Sequence, residues 1–156
     1  MNIAEYLGKE ETELGEVEPA TFLLGLLSAF ENKYQAKADS FLKELTWKQF
    51  FTIININLCS EAPSIMELSQ QMGSSHQNVK QILLKLEKKG FVQMLKDPND
   101  RRRQRVVLTD YCINFCNKNE AKSEEIVENL FKGIDEKKIK ATIETILQME
   151  RNLEKI

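Results

Sequence analysis

The chain is poor in the residues that most enzymes and secreted scaffolds rely on. It has one histidine, one tryptophan, three cysteines, three prolines and six glycines in 156 residues. Three cysteines, Cys59, Cys112 and Cys116, are too few and odd in number for a disulfide framework, which points to a reducing compartment. No apolar run approaches the ~20 residues that cross a bilayer, so no membrane partner is expected. The start of the chain carries Glu5, Glu10, Glu11, Glu13, Glu16 and Glu18 against a single lysine, the opposite of a signal peptide's basic beginning. The expected location is the cytoplasm. Catalysis is unpromising: with one histidine, no glycine-rich phosphate loop and no metal-ligand spacing, neither a nucleophile–base pair nor a metal set is expected. Cys112 and Cys116 stand four apart on one helix face, where they could bind a soft metal or respond to oxidation, but with a single histidine in the chain they read first as buried structural thiols. Cys59 reads as a helix-end core residue and Trp47 as core or interface.

What the chain does have is apolar side chains, 42%, and charge, 29%, in an uneven arrangement. From Ser74 to Thr109 there are nine Lys/Arg against three Asp/Glu, whereas the segments on either side are net acidic. A basic island between acidic flanks suits a phosphate backbone.

The apolar spacing predicts a mainly α chain with one small β-hairpin, an α+β arrangement. Residues 1–18 form an acidic N-terminal segment, in which Ile3, Tyr6 and Leu7 could form a short helix. Pro19 suits a helix's first turn. The run Phe22 to Tyr34 that follows is apolar over so much of its circumference that it predicts burial within the core or against another subunit. Three capping boxes are expected, Thr46 to Gln49, Ser64 to Glu67 and Ser74 to Gln77, each opening a helix by satisfying first-turn N–H groups. Gly73 permits the sharp turn between the second and third. Two short helices joined in this way make a helix-turn-helix. Residues 91–96 and 103–108, around a Pro/Asn/Asp turn, predict a hairpin wing directly after it. Thr109 and Asp135 are expected to cap two long closing helices, the first of them ended by Gly133.

In the third capped helix, Val79, Ile82, Leu83 and Leu86 mark the buried face. His76, Gln77, Lys80, Gln81 and Lys85 are left outward, with Ser74, Ser75 and Asn78 at its start. Gln and Asn can pair with adenine edges, Lys with guanine or phosphate, and the helix start can hold a phosphate. The wing adds Arg101, Arg102, Arg103 and Arg105 around a hairpin tip. Arginine there suits a narrow minor groove, and Asp100 is placed to hold Arg102 by a charge-assisted bond. A solvated amphipathic helix accounts for the first feature alone. It does not account for an arginine-dense hairpin that follows directly.

The stretches Leu68 to Val79, Leu86 to Val92, Asp97-Pro-Asn-Asp-Arg-Arg102 and Val107-Leu-Thr109 resemble the MarR family of bacterial transcriptional regulators. The resemblance implies a homodimer built from residues 19–45 and 110–156, with a DNA-binding winged helix-turn-helix at 46–109. It implies double-stranded DNA as partner, with wings in minor grooves and recognition helices in successive major grooves of a pseudo-palindrome. It also implies repression relieved by a small-molecule effector, with no cofactor. Asp100 and Arg102 fall on the family's wing positions. Ser75, His76, Gln77, Asn78 and Gln81 fall on its recognition-helix positions. Leu84 stands where relatives are usually polar, and Gln81 where many have arginine. The competing expectation is a winged helix used only for protein contact.

Overall fold

A computed structural model of the chain describes residues 18–97, 100 and 103–156. The short helix read at Ile3 to Leu7 lies outside them. The described residues form six helices and one hairpin: α1 Pro19–Phe41, α2 Trp47–Asn57, α3 Ile65–Gln71, α4 His76–Lys88, β1 Val92–Lys96, β2 Gln104–Leu108, α5 Asp110–Phe131 and α6 Glu136–Leu153. This is the mainly α winged helix-turn-helix that the apolar spacing predicts. The chain divides into two compact units, Met1–Thr109 and Asp110–Ile156.

Local chemistry sets the helix starts of the first unit. Pro19 occupies the first turn of α1, and the Glu18 carboxylate, which sequence reading passed over, accepts from the Ala20 N–H at 2.9 Å. The first two capping boxes form as expected. The Thr46 hydroxyl accepts from the Gln49 N–H at 3.3 Å, and the Gln49 side chain accepts from the Thr46 N–H at 3.2 Å. The Ser64 hydroxyl accepts from the Glu67 N–H at 3.2 Å while the Glu67 carboxylate accepts from the Ser64 N–H at 2.6 Å.

The third box is displaced by one residue. Ser75, not Ser74, caps α4, its hydroxyl accepting from the Asn78 N–H at 3.2 Å. The cause lies in how α3 ends. Gly73 adopts φ +57°, the Gly73 N–H donates to Gln70 and the Ser74 N–H donates to Ser69, both backbone carbonyls. That Schellman pattern uses Ser74 to close α3, so the cap passes to the next serine. The Ser74 hydroxyl instead accepts from the Asn78 side chain at 2.8 Å. Gly90, at φ +80°, ends α4 in the same way, with the Phe91 N–H donating to the Leu86 carbonyl.

The core of this unit lies where α2, α3, α4 and the hairpin converge. Ile53, Leu68, Val79, Leu83, Leu86, Phe91, Val92 and Val106 are buried there. Full burial stabilises by roughly 1.5–3 kcal/mol for each such large side chain. Between α1 and α2 runs an aromatic chain in which Tyr34 meets Trp47 edge-on at 4.7 Å and Trp47 stacks on Phe51 at 5.8 Å. Asp39 of α1 accepts from the Trp47 N–H. Desolvation holds the Tyr34 phenol above its ordinary pKa.

The hairpin is antiparallel in the register Val92↔Leu108 to Lys96↔Gln104. Met94 and Val106 face each other, and both of their N–H groups are used outside the ladder. Val106 donates to the Pro63 carbonyl at 2.9 Å, and Met94 donates to the Glu87 carboxylate at 2.9 Å. Ser64 also forms an isolated antiparallel bridge with Arg105, so residues just before α3 flank β2.

The apolar surface of the outer helices departs from one expectation. None of the residues of α1 or of α6 is buried. Leu24 and Phe30 of α1 are more than half exposed, as are Ile143 and Leu153 of α6. The burial predicted for α1 is therefore not met within the described residues, where its apolar side chains are half-buried or exposed. In α5, Cys112 is fully buried and Cys116 half-buried. Burial pushes the Cys112 thiol up to about 12 and raises that of Cys116. Among the described residues, no helix is long and apolar enough to cross a membrane.

Candidate nucleic-acid interface

The amphipathic pattern of α4 positions the first half of the site. Val79, Leu83 and Leu86 face the core, which turns Ser75, His76, Gln77, Asn78, Lys80, Gln81 and Lys85 to solvent. Ser74 is half-buried at the approach to the helix. Its bond to the Asn78 amide, with Ser75's bond to the Asn78 backbone, fixes the first turn and places His76 and Gln77 at the exposed N-terminus. Exposed Leu84 lies in the same row, one turn beyond Lys80 and Gln81. A further turn brings exposed Lys88, which sequence reading left out although the i,i+4 spacing from Leu84 points to it. The face therefore offers amide groups at its start and ammonium groups farther along.

The second half is the wing. Arg101 and Arg102, and with them the expected Asp100–Arg102 pair, lie outside the described residues. Asp100 forms an ion pair with Arg103, whose Nε stands 3.5 Å from the carboxylate; the Arg103 side chain is about two-thirds exposed. The tip is closed by two backbone bonds, from the Arg103 N–H to the Asp100 carbonyl at 2.8 Å and from the Asp97 N–H to the Arg103 carbonyl at 3.1 Å.

Arg105 is placed differently from the outward position that the sequence suggests. Its Nε donates to the Asp97 carboxylate at 2.6 Å. Its Nη1 donates to the Ala62 carbonyl and to the Glu67 carboxylate, both at 3.1 Å. The guanidinium thus turns toward the base of the wing. Asp97, buried to 4% exposure, also accepts from the Asp100 N–H at 3.3 Å. Sequence reading assigned Asp97 no part in the site. The signal was available, because one step past the Lys96↔Gln104 pair Asp97 meets Arg103 through a backbone bond and so lies diagonal to Arg105, an opposite-charge pair within reach across a hairpin. The bond from the Ser64 N–H, with the nearby charge of Arg105, holds the Glu67 carboxyl below the usual carboxylate range. Among the described residues, no three His, Cys, Asp or Glu side chains gather in a metal-binding group.

Residues 45–103 match the sequence model of the MarR family. Solved structures share the fold over almost the whole chain. A MarR/EmrR family transcriptional regulator from Acinetobacter sp. ADP1 is 14% identical at a TM-score of 0.78, covering 90% of this chain and 100% of that one. MepR of S. aureus, solved as a complex with DNA, is 18% identical at a TM-score of 0.73, covering 88% and 99%. PcaV of Streptomyces coelicolor, solved with its natural ligand, is 14% identical at a TM-score of 0.74, covering 88% and 98%. Residues 45–103, the winged helix-turn-helix, are thus similar in sequence to the MarR family, and the chain as a whole shares the fold of these solved regulators.

Proposed function

We propose that this protein is a sequence-specific regulator of transcription that binds double-stranded DNA as a homodimer. The observation that carries the reading is the pairing of two features on neighbouring elements. One is the exposed face of α4 with His76, Gln77, Lys80, Gln81 and Lys85. The other is the arginine-dense turn between β1 and β2, bearing Arg101, Arg102 and Arg103. The helix suits a major groove, in which its amides read base edges and its lysines meet phosphate. The wing arginines suit the adjoining minor groove. MepR, which shares the fold, is named as a DNA complex.

The homodimer is supported by the apolar side chains left exposed on α1 in the first unit and on α5 and α6 in the second, side chains of the kind that a second subunit covers. Two-fold symmetry then asks for a pseudo-palindrome whose half-sites lie about one helical turn apart. Repression relieved by a small molecule is the regulatory mode we favour, in line with PcaV, which is described with a natural ligand. On this reading the protein works in the cytoplasm as a binding protein, with no catalytic step.

The test is selection from a pool of random duplexes at two salt concentrations. Recovery of a pseudo-palindrome, with affinity falling steeply as salt rises, is the expected result. Retention of no duplex even at low salt overturns the reading in favour of a winged helix that contacts protein.

A further inference from the structure

A carboxylate buried as deeply as that of Asp97 persists only with a partner, because removing its charge from water costs several kcal/mol. The partner is the Arg105 guanidinium at 2.6 Å. The same guanidinium reaches 3.1 Å to the Ala62 carbonyl and 3.1 Å to the Glu67 carboxylate. The Glu67 oxygen that meets Arg105 also accepts the Ser64 N–H that opens α3. One planar fork therefore joins three parts of the chain: the root of the wing turn, the strap before the helix-turn-helix and the first turn of α3. The Val106–Pro63 bond and the Ser64–Arg105 bridge run beside it. Lysine offers no such fork, since its ammonium is a point charge.

We infer that Arg105 is a positioning residue that fixes the angle between wing and helix-turn-helix, so that wing and recognition helix engage DNA together. The inference rests on the DNA-binding reading above and adds to it a residue that acts without touching nucleic acid. Arg105, Asp97 and Glu67 then work as a unit. The unit makes a prediction opposite in sign to that of long-range electrostatics. Each acidic group near a DNA face repels phosphate, so removing its charge should tighten binding. If the fork positions the wing, removing either carboxylate charge should instead weaken binding.

The experiment compares Asp97→Asn, Glu67→Gln and Arg105→Lys with the wild-type chain on the selected operator. Thermal melting and sedimentation serve as controls for fold and assembly. Glu67→Gln keeps an acceptor for the Ser64 N–H, so it preserves the cap and remains informative should Asp97→Asn fail to fold. The expected result is binding weaker by roughly ten- to a hundredfold in all three. Hydroxyl-radical protection of the minor groove should be lost while protection of guanine N7 in the major groove survives. Arg105→Lys, which keeps the charge but not the fork, should still fail to rescue affinity. Carboxylate variants that bind as tightly as the wild type or tighter, a lysine variant of full affinity, or an unaltered minor-groove footprint would each overturn the inference. Failure of the wild-type chain to retain any duplex would instead remove the reading beneath it.

Discussion

Gln49 and Lys89 meet through a single oxygen. The Gln49 Oε1 that accepts the Thr46 N–H in the first capping box also accepts from the Lys89 ammonium at 3.1 Å. Lys89 donates as well to the Glu44 carbonyl at 2.6 Å. The start of α2 is thereby pinned to the end of α4, the helix that carries the candidate recognition face. Gln49→Ala removes both bonds and should destabilise the fold by about 1–2 kcal/mol. Lys89→Met should cost less, and the double variant less than the two losses added, since both act on one oxygen. Urea unfolding of the four proteins measures this. Strictly additive losses would show that the two residues act independently.

Lys80 and Gln81 are adjacent on the exposed face of α4 but should differ in effect. Lys80→Ala should weaken binding to all duplexes and lower the slope of log K against log salt by about 1. Gln81→Ala should cost about 1–3 kcal/mol on the selected operator and little on random DNA. Titrations on both kinds of duplex across a salt series separate the two. A uniform loss from Gln81→Ala would remove it from base readout.

Arg102→Ala should weaken operator binding by about 1–3 kcal/mol while sedimentation still reports the dimer. Arg105→Lys is the informative companion. A minor-groove arginine contributes through its own contact, a positioning arginine through the geometry of its neighbours. Unchanged binding by Arg102→Ala would sink the minor-groove assignment.

Cys112, fully buried and with its thiol pushed up to about 12, should be the last cysteine to react. Alkylation at pH 8 mapped by mass spectrometry should leave it unmodified in the folded protein and modify it in urea. The linkage has a definite sign. The folded value lies above the ordinary 9.0, so this thiol's contribution to stability is complete below 9.0. It is lost as the pH climbs from there toward about 12. Rapid native labelling of Cys112 would contradict its burial.

Much of this molecule can be read from side-chain periodicity. The spacing of Val79, Leu83 and Leu86 gives the buried face of α4, and alternation around the Asp97 turn gives the hairpin to within a residue at each end. Local chemistry also announces the Thr46 and Ser64 caps, because donor and acceptor lie three residues apart. The shift from Ser74 to Ser75 is harder to see. It depends on which of two helices claims the Ser74 N–H, and that follows from the left-handed turn at Gly73. The placement of Arg105 is harder still. Its partners Ala62 and Glu67 are 43 and 38 residues away along the chain, and composition alone cannot distinguish an arginine that faces phosphate from one that faces its own fold. Exposure of the apolar face of α1 lies between these cases. The sequence shows that the face is greasy but not what covers it.

The Met94–Val106 pair has a consequence for how copies of this protein can crowd together. A two-stranded ribbon has two open margins, and outward N–H groups there invite a strand from another molecule. At this level of the hairpin neither amide is on offer, since Val106 is held by Pro63 and Met94 by the Glu87 side chain. Proline at position 63 has no N–H of its own to extend the ladder. At this level, then, the ribbon offers no outward amide to the stacked strands by which exposed hairpins aggregate.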